Sequence, residues 1–318
     1  MTIEPKYKLR YSIKQTHDNN LTSTVKISPN GELIATCSTD NSIKLWYLKT
    51  GILKCKLIGH FKGISNIAFS PNNKYLASTS DDLTIRIWDI EIEKTIKILK
   101  NHTFFINCLK FDKRSRILIT GSSDENIRIW DLKRGKNMRI LSAHSDPISS
   151  LDLSFDDTII VSGSYDGLIR LFNTETGSCL KTLIYDKQGG SSFPISNVIF
   201  SPNSKYILSS SLDGYLRLWD YINNLVVKTF KNDNNLPIAE KYCLGSCFIV
   251  FNNESLICSG NELGEIIFWD IQSQDIMFKL DASEIKNSPI MQVDNYNDGE
   301  ILVSISLNGE LNVWNYCG

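Results

Sequence analysis

Four histidines are the residues of this 318-residue chain best suited to chemistry, and one of them lies in the string Ala143-His144-Ser145-Asp146, which brings together the side-chain types of a hydrolase triad. Imidazoles or thiolates converging on one point hold a divalent metal, and a serine activated by histidine attacks acyl carbon. Both chemistries need convergence in space, and the spacing argues against it. His17, His60, His102 and His144 lie 29, 28, 28 and 28 residues before Trp46, Trp88, Trp130 and Phe172, so each belongs to a separate unit of a repeat. Histidines at one phase of four units cannot share a metal, and His144 is already used by the repeat. The Gly/Ser-rich runs GSSDENIRIW and SGSYDGLIRL lead into alternating, strand-like segments, whereas a phosphate loop leads into a helix N-terminus. Eight cysteines (Cys37, Cys55, Cys108, Cys179, Cys243, Cys247, Cys258 and Cys317) are spaced singly without a CxxC pair, the pattern of reduced, buried thiols. The sequence therefore predicts no catalytic residue, no metal and no cofactor.

The elements that place these residues are short strands. Strings ending at Trp46, Trp88, Trp130, Phe172, Trp219, Trp269 and Trp314 recur at intervals of 42, 42, 42, 47, 50 and 45 residues. That period is close to the roughly 40–45 residues of a four-stranded propeller blade. Within each unit, runs such as LIATCS, YLASTS, ILITGS and IIVSGS alternate with period two, as half-buried strands do. Six residues before the aromatic stand Asp40, Asp82, Asp124, Asp166 and Asp213, then Leu263 and Asn308. Ser38, Ser80, Ser122, Ser164, Ser211 and Ser306 precede that position by two. These residues resemble the His–Ser–Asp–Trp tetrad of WD40 repeats, which gives a buried indole N–H and a turn backbone their partners.

Seven units imply an all-β, seven-bladed WD40 β-propeller in one domain spanning residues 1–318. The last unit offers only three strands, near IMQVDNY, ILVSIS and LNVWNY, whereas Tyr7–Ile13 alternates like a strand with no blade of its own. The N-terminal strand is accordingly expected to complete the last blade and remove a free sheet edge. The longer irregular stretches expected are Asp186–Pro194 and Lys231–Ala239.

With 34 Lys plus Arg against 35 Asp plus Glu, the formal charge of −1 provides no cationic excess for direct nucleic-acid binding. Residues 1–20 hold no apolar stretch of the roughly 7–15 residues of a signal peptide, and no later segment approaches about 18 apolar residues. An intracellular chain without membrane contact is expected, in which the sequons at Asn101 and Asn253 are chance matches.

The chain carries the strings KISPNGELIATCSTDNSIKLW, AHSDPISSLDL, GSYDGLIRLFNTETGSCLKTL, FSPNSKYILSSSLDGYLRLWDY and EKYC, within which AHSDPIS, SYDGL and SPNSKYIL are much more specific than a WD dipeptide. Together they resemble the WD40 scaffold subunit of histone H3 lysine methyltransferase complexes of COMPASS or MLL type, from about residue 5 to Trp314 and in one register. The resemblance implies a nuclear, non-catalytic hub for a methyltransferase catalytic subunit and a second WD40 subunit, with weak contact to the histone H3 tail. The alternative is another WD40 peptide-binding adaptor, in a ubiquitin-ligase or transcription complex.

Two surfaces carry function in that family. At the channel mouth, an arginine is held between two phenyl rings. The matching positions are Ser65, Asp81, Phe105, Pro147, Tyr165, Tyr242 and Cys243, but Asn107 and Gly245 stand where the two rings belong. Both walls of the clamp are therefore missing, although Asp81 keeps a carboxylate there. The second surface is a cleft between blades five and six that grips an acidic-apolar partner segment, and Asn203, Tyr206, Leu218, Phe248, Val250 and Gln272 all match it.

Overall fold

Residues rich in Ile, Val, Leu and Thr at alternate positions, punctuated every six or so residues by turn formers, can bury two faces only by stacking sheets side by side. The computed structural model describes residues 6–18, 20–185, 192–233, 236–251, 254–285 and 287–317, and arranges them as seven four-stranded antiparallel sheets. Blade four is typical, with Ile148–Leu153 innermost, then Ile159–Ser164, Leu168–Asn173 and outermost Cys179–Ile184. Its second strand is almost wholly buried because a neighbouring blade covers each face, while the outermost strand is largely exposed. The apolar core accordingly lies between blades. Val161, Ile169 and Leu171 of blade four, for example, pack with Val198, Ile207 and Trp219 of blade five. No α-helix occurs among the described residues. Of the expected irregular stretches, residues 186–191 and 234–235 lie outside the described residues, as does the sequon residue Asn253.

Closure follows the sequence expectation. Tyr7–Ile13 pairs antiparallel with Leu311–Tyr316 as the outer strand of blade seven, from Tyr7 opposite Tyr316 to Ile13 opposite Leu311. The N-terminal segment also reaches beyond its own blade. Tyr7 is 3% exposed, stacks 5.4 Å from Phe268 of blade six, and donates its hydroxyl to the Gly299 carbonyl at 2.6 Å. Gly299 has φ +117°, a conformation that a side chain resists, and a Cβ there would press on Ile249. Tyr11 donates to the Leu48 carbonyl of blade one at 2.7 Å. One strand thus ties blades six, seven and one together.

The histidines hold the blades' turns. In blade two, the Trp88 indole donates to Ser78 Oγ at 2.8 Å. His60 Nε2 meets that hydroxyl at 2.7 Å, and His60 Nδ1 meets Asp82 at 2.8 Å. The set repeats with Thr36 and Thr120 as the hydroxyl residues for His17 and His102, while in blade four His144 keeps its contacts with Ser162 and Asp166 although Phe172 offers no indole. This corrects the expected hydroxyls. Ser80 and its equivalents, at the strand end, hold the turn instead: Ser80 donates to the Gly63 carbonyl at 2.8 Å and accepts from the Asp82 N–H at 3.0 Å. Positions two apart on a strand share a face, and it is the earlier one that the indole reaches. Blade five has no histidine; there the Arg217 guanidinium pairs with Asp213 and lies 3.7 Å from the Tyr185 ring.

Burial holds the His17 and His102 imidazoles below their usual 6.5, in spite of the aspartates beside them. Burial alone would raise Asp40, Asp82, Asp124 and Asp166, but hydrogen bonds from histidine, hydroxyl and backbone groups outweigh it and hold all four below 3.8. For both kinds of group the unfolded chain takes up protons first. The histidine contribution is therefore complete above about pH 6.5 and is lost as pH falls below it; the carboxylate contribution is lost below about pH 4. Thermal melts from about pH 8 to 3 should be flat at the alkaline end, decline below about 6.5 and fall more steeply below about 4. A melting temperature constant from about pH 7 to 5 would contradict the histidine step.

Candidate functional site

The seven innermost strands converge on the ring axis, and the second residues of five of them, Ser23, Ser65, Asn107, Ser149 and Ser196, are small or polar and must find hydrogen-bond partners. They do so from blade to blade. Ser23 Oγ donates to the Ile64 carbonyl at 2.9 Å, Asn107 Nδ2 to the Ile148 carbonyl at 2.7 Å, and Ser149 Oγ to the Ile195 carbonyl at 2.6 Å. Where these strands begin, they surround a cavity of about 470 Å³ at the channel mouth. Among its lining residues Asp81 alone carries a charge; Ser65 donates to its Oδ1 at 3.2 Å. A carboxylate among neutral hydroxyls, amides and thiols makes a slot suited to a cationic side chain.

Seven of the nine expected mouth residues line this cavity: Ser65, Asp81, Asn107, Pro147, Tyr165, Cys243 and Gly245. Tyr165 OH lies 3.1 Å from Cys243 Sγ, joining blade four to the entry of blade six, and burial raises both groups above their usual values. Phe105 and Tyr242 are not among the lining residues. Phe105 instead packs on Phe104 with ring centroids 4.6 Å apart, and the Lys62 ammonium lies 5.8 Å from its ring.

The structure also accounts for the two missing rings. Asn107 donates to Ser123 Oγ at 3.0 Å as well as to Ile148, so its carboxamide serves an inter-blade joint. At Gly245 the space is occupied: a Cβ built there would overlap the Gln292 carboxamide, whose Nε2 donates to the Val293 carbonyl at 3.0 Å. Sequence reasoning missed Gln292. The signal was its phase, 22 residues before Trp314, in the column of Thr24, Asn66, Cys108, Ser150, Asn197 and Cys247. It is the longest side chain of that column.

The blade five to six residues divide into two sets. Tyr206, Leu218 and Phe248 join one apolar cluster with Ile257, Ile267 and Trp269. Leu218 is only 4% exposed and is core more than floor. Asn203, Val250 and Gln272 are exposed. Asn203 Oδ1 accepts from Ser201 and from the Lys205 N–H, which builds the turn before Tyr206. Lys228 Nζ crosses the blade boundary to the Ile271 and Gln272 carbonyls at 2.7 and 2.6 Å.

A family model described as the WDR5 beta-propeller domain matches residues 13–315. The chain belongs to the WDR5 beta-propeller family. No curated protein matched it. Propellers of this kind are WD40 scaffolds or peptide-binding adaptors, typically non-catalytic, and work through protein–protein interaction. Among the described residues no helix is long and apolar enough to cross a membrane, and no group of three or more His, Cys, Asp and Glu side chains is placed to hold a metal.

Proposed function

We propose that the chain is a nuclear scaffold subunit of a COMPASS-type histone H3 lysine methyltransferase complex, binding the catalytic subunit and a second WD40 subunit. The observation that carries this reading is the full set of six cleft residues at the boundary of blades five and six. Tyr206 and Phe248 pack against one apolar cluster there, and Asn203, Val250 and Gln272 are exposed on the same two blades. An apolar centre with a polar rim is the anatomy of a hot spot. The channel mouth plays the smaller part, as a weak contact for the histone H3 tail.

Purification from cells followed by mass spectrometry tests the reading. Methyltransferase subunits should co-purify, and their absence would refute it. With the partner WD40 subunit in hand, Tyr206→Ala should cost about 1–3 kcal/mol of affinity. Val250→Asp should also weaken binding by setting a carboxylate against an acidic segment. Leu218 is too deeply buried to serve as a docking test, because a change there strikes the core. Asp81→Ala, at the channel mouth, should leave this partner bound. A second reading, an adaptor of a ubiquitin-ligase or transcription complex, is favoured by the altered mouth, where Asn107 and Gln292 replace an aromatic clamp; that reading predicts a different set of co-purifying proteins.

A further inference from the structure

Blades two and three meet over a groove of about 650 Å³ that neither surface described above includes. Its walls are apolar: Tyr75 and Ile96 from blade two face Ile117, Leu132 and Met138 from blade three. Ile96 and Met138 are 40% and 54% exposed, so the groove presents aliphatic and thioether surface to solvent. Its charged lining residues are Lys97, Arg116, Lys133 and Asp131. Lys97 donates across the blade boundary to the Leu132 and Lys133 carbonyls. The Asp131 carboxylate accepts from the Arg134 N–H at 2.9 Å and lies 3.7 Å from its guanidinium. Arg116 and Lys133 are exposed and make no ion pair among the described residues. On a chain of net charge −1, this apolar groove therefore has a cationic rim.

The repeat register shows what kind of place this is. Asn72, Tyr75 and Ile87 stand 16, 13 and 1 residues before Trp88, as Asn203, Tyr206 and Leu218 do before Trp219. Lys133 follows Trp130 by three, as Gln272 follows Trp269, and Arg116 precedes Trp130 by fourteen, as Ser255 precedes Trp269. The groove is thus the geometric counterpart of the blade five to six cleft, with two cations where that cleft has neutral residues.

We propose that the groove between blades two and three is a separate docking site for an acidic-apolar peptide segment of a partner protein, its apolar side chains lying between Ile96 and Met138 and its carboxylates meeting Arg116 and Lys133. The charge selects the occupant: an apolar segment alone leaves the cations unused, and a basic one is repelled. The site stands whether or not the blade five to six cleft is used.

Methionine methyl resonances test this directly, because Met138 lies in the groove, Met291 lines the channel mouth and Met277 lies in blade six. The probe is a synthetic ten-residue peptide alternating glutamate and leucine, titrated into full-length protein carrying ¹³C-methyl methionine. The Met138 signal should move saturably while those of Met291 and Met277 stay, and added salt should weaken the effect. The Arg116→Glu/Lys133→Glu variant should bind about tenfold or more weakly; the neutral Arg116→Gln/Lys133→Gln variant, checked by a melting curve, guards against misfolding. A Met138 signal unmoved at millimolar peptide overturns the proposal. So does an equal response to an alternating lysine–leucine peptide, or undiminished affinity in both charge variants.

Discussion

Deleting residues 1–14 should lower the melting temperature by about 10 °C or more, or leave the protein aggregated, although it removes no residue of either candidate binding surface. The deletion strips Leu311–Tyr316 of its outer partner and turns it into an exposed edge. It also removes Tyr7 from beside the stacked pair Phe268 and Phe278, whose ring centroids lie 5.4 and 6.3 Å from it. Truncating one such buried ring to alanine costs about 3–5 kcal/mol, so Tyr7→Ala alone should account for much of the loss. Tyr7→Phe keeps the ring and drops the hydroxyl bond to Gly299, so it should cost about 1 kcal/mol. Scanning calorimetry on the three variants separates edge, ring and hydroxyl. Melting of the deletion variant at the wild-type temperature would mean that the ring closes without this strand.

The blade count, the closing strand and the indole–histidine–aspartate sets were legible because each rests on spacing, and spacing survives in a sequence read alone. The hydroxyl member of the tetrad was misplaced by two residues for a physical reason. Ser78 and Ser80 lie on the same face of one strand, and the register between strands, which sets Trp88 opposite Leu76, brings the indole to the nearer Ser78. Arg217 illustrates a second limit. It stands two residues before Trp219, in the column of Arg86, Arg128 and Arg170, but the column does not show that in blade five, which has no histidine, this guanidinium turns to Asp213. The channel mouth shows a third. That Asn107 and Gly245 are not aromatic is plain in the sequence, but what stands in the empty place is decided by Gln292 from the neighbouring blade, 47 residues away. The cleft residues were legible as a set, whereas the burial of Leu218, which removes it from the accessible surface, follows only from how blades five and six pack.

Rebuilding the channel mouth should change affinity for an arginine-bearing peptide more than any single substitution elsewhere in the ring. Two phenyl rings around a guanidinium are worth about 1–2 kcal/mol each in a desolvated slot, so their absence implies a contact weaker by a factor of about 30 to 700 than one with both. Asn107→Phe/Gly245→Phe alone should recover little, because the ring at 245 collides with the Gln292 carboxamide. Adding Gln292→Ala empties that volume, and the triple variant should gain about 100-fold or more over wild type for a histone H3 tail peptide. The gain should vanish when the peptide's arginines are replaced by glutamine. It should also fall sharply with Asp81→Ala, since Asp81 is the only carboxylate lining the mouth. A cost in stability is expected alongside, because Asn107→Phe gives up hydrogen bonds to Ser123 and the Ile148 carbonyl worth about 1 kcal/mol each. Melting curves therefore accompany the calorimetry. Two outcomes count against this account of the slot. Tight, arginine-dependent binding by the wild type would mean that the polar mouth captures arginine without rings. A double variant as strong as the triple would mean that Gln292 swings aside at little cost, leaving the two substituted positions as the whole difference between this mouth and an aromatic clamp.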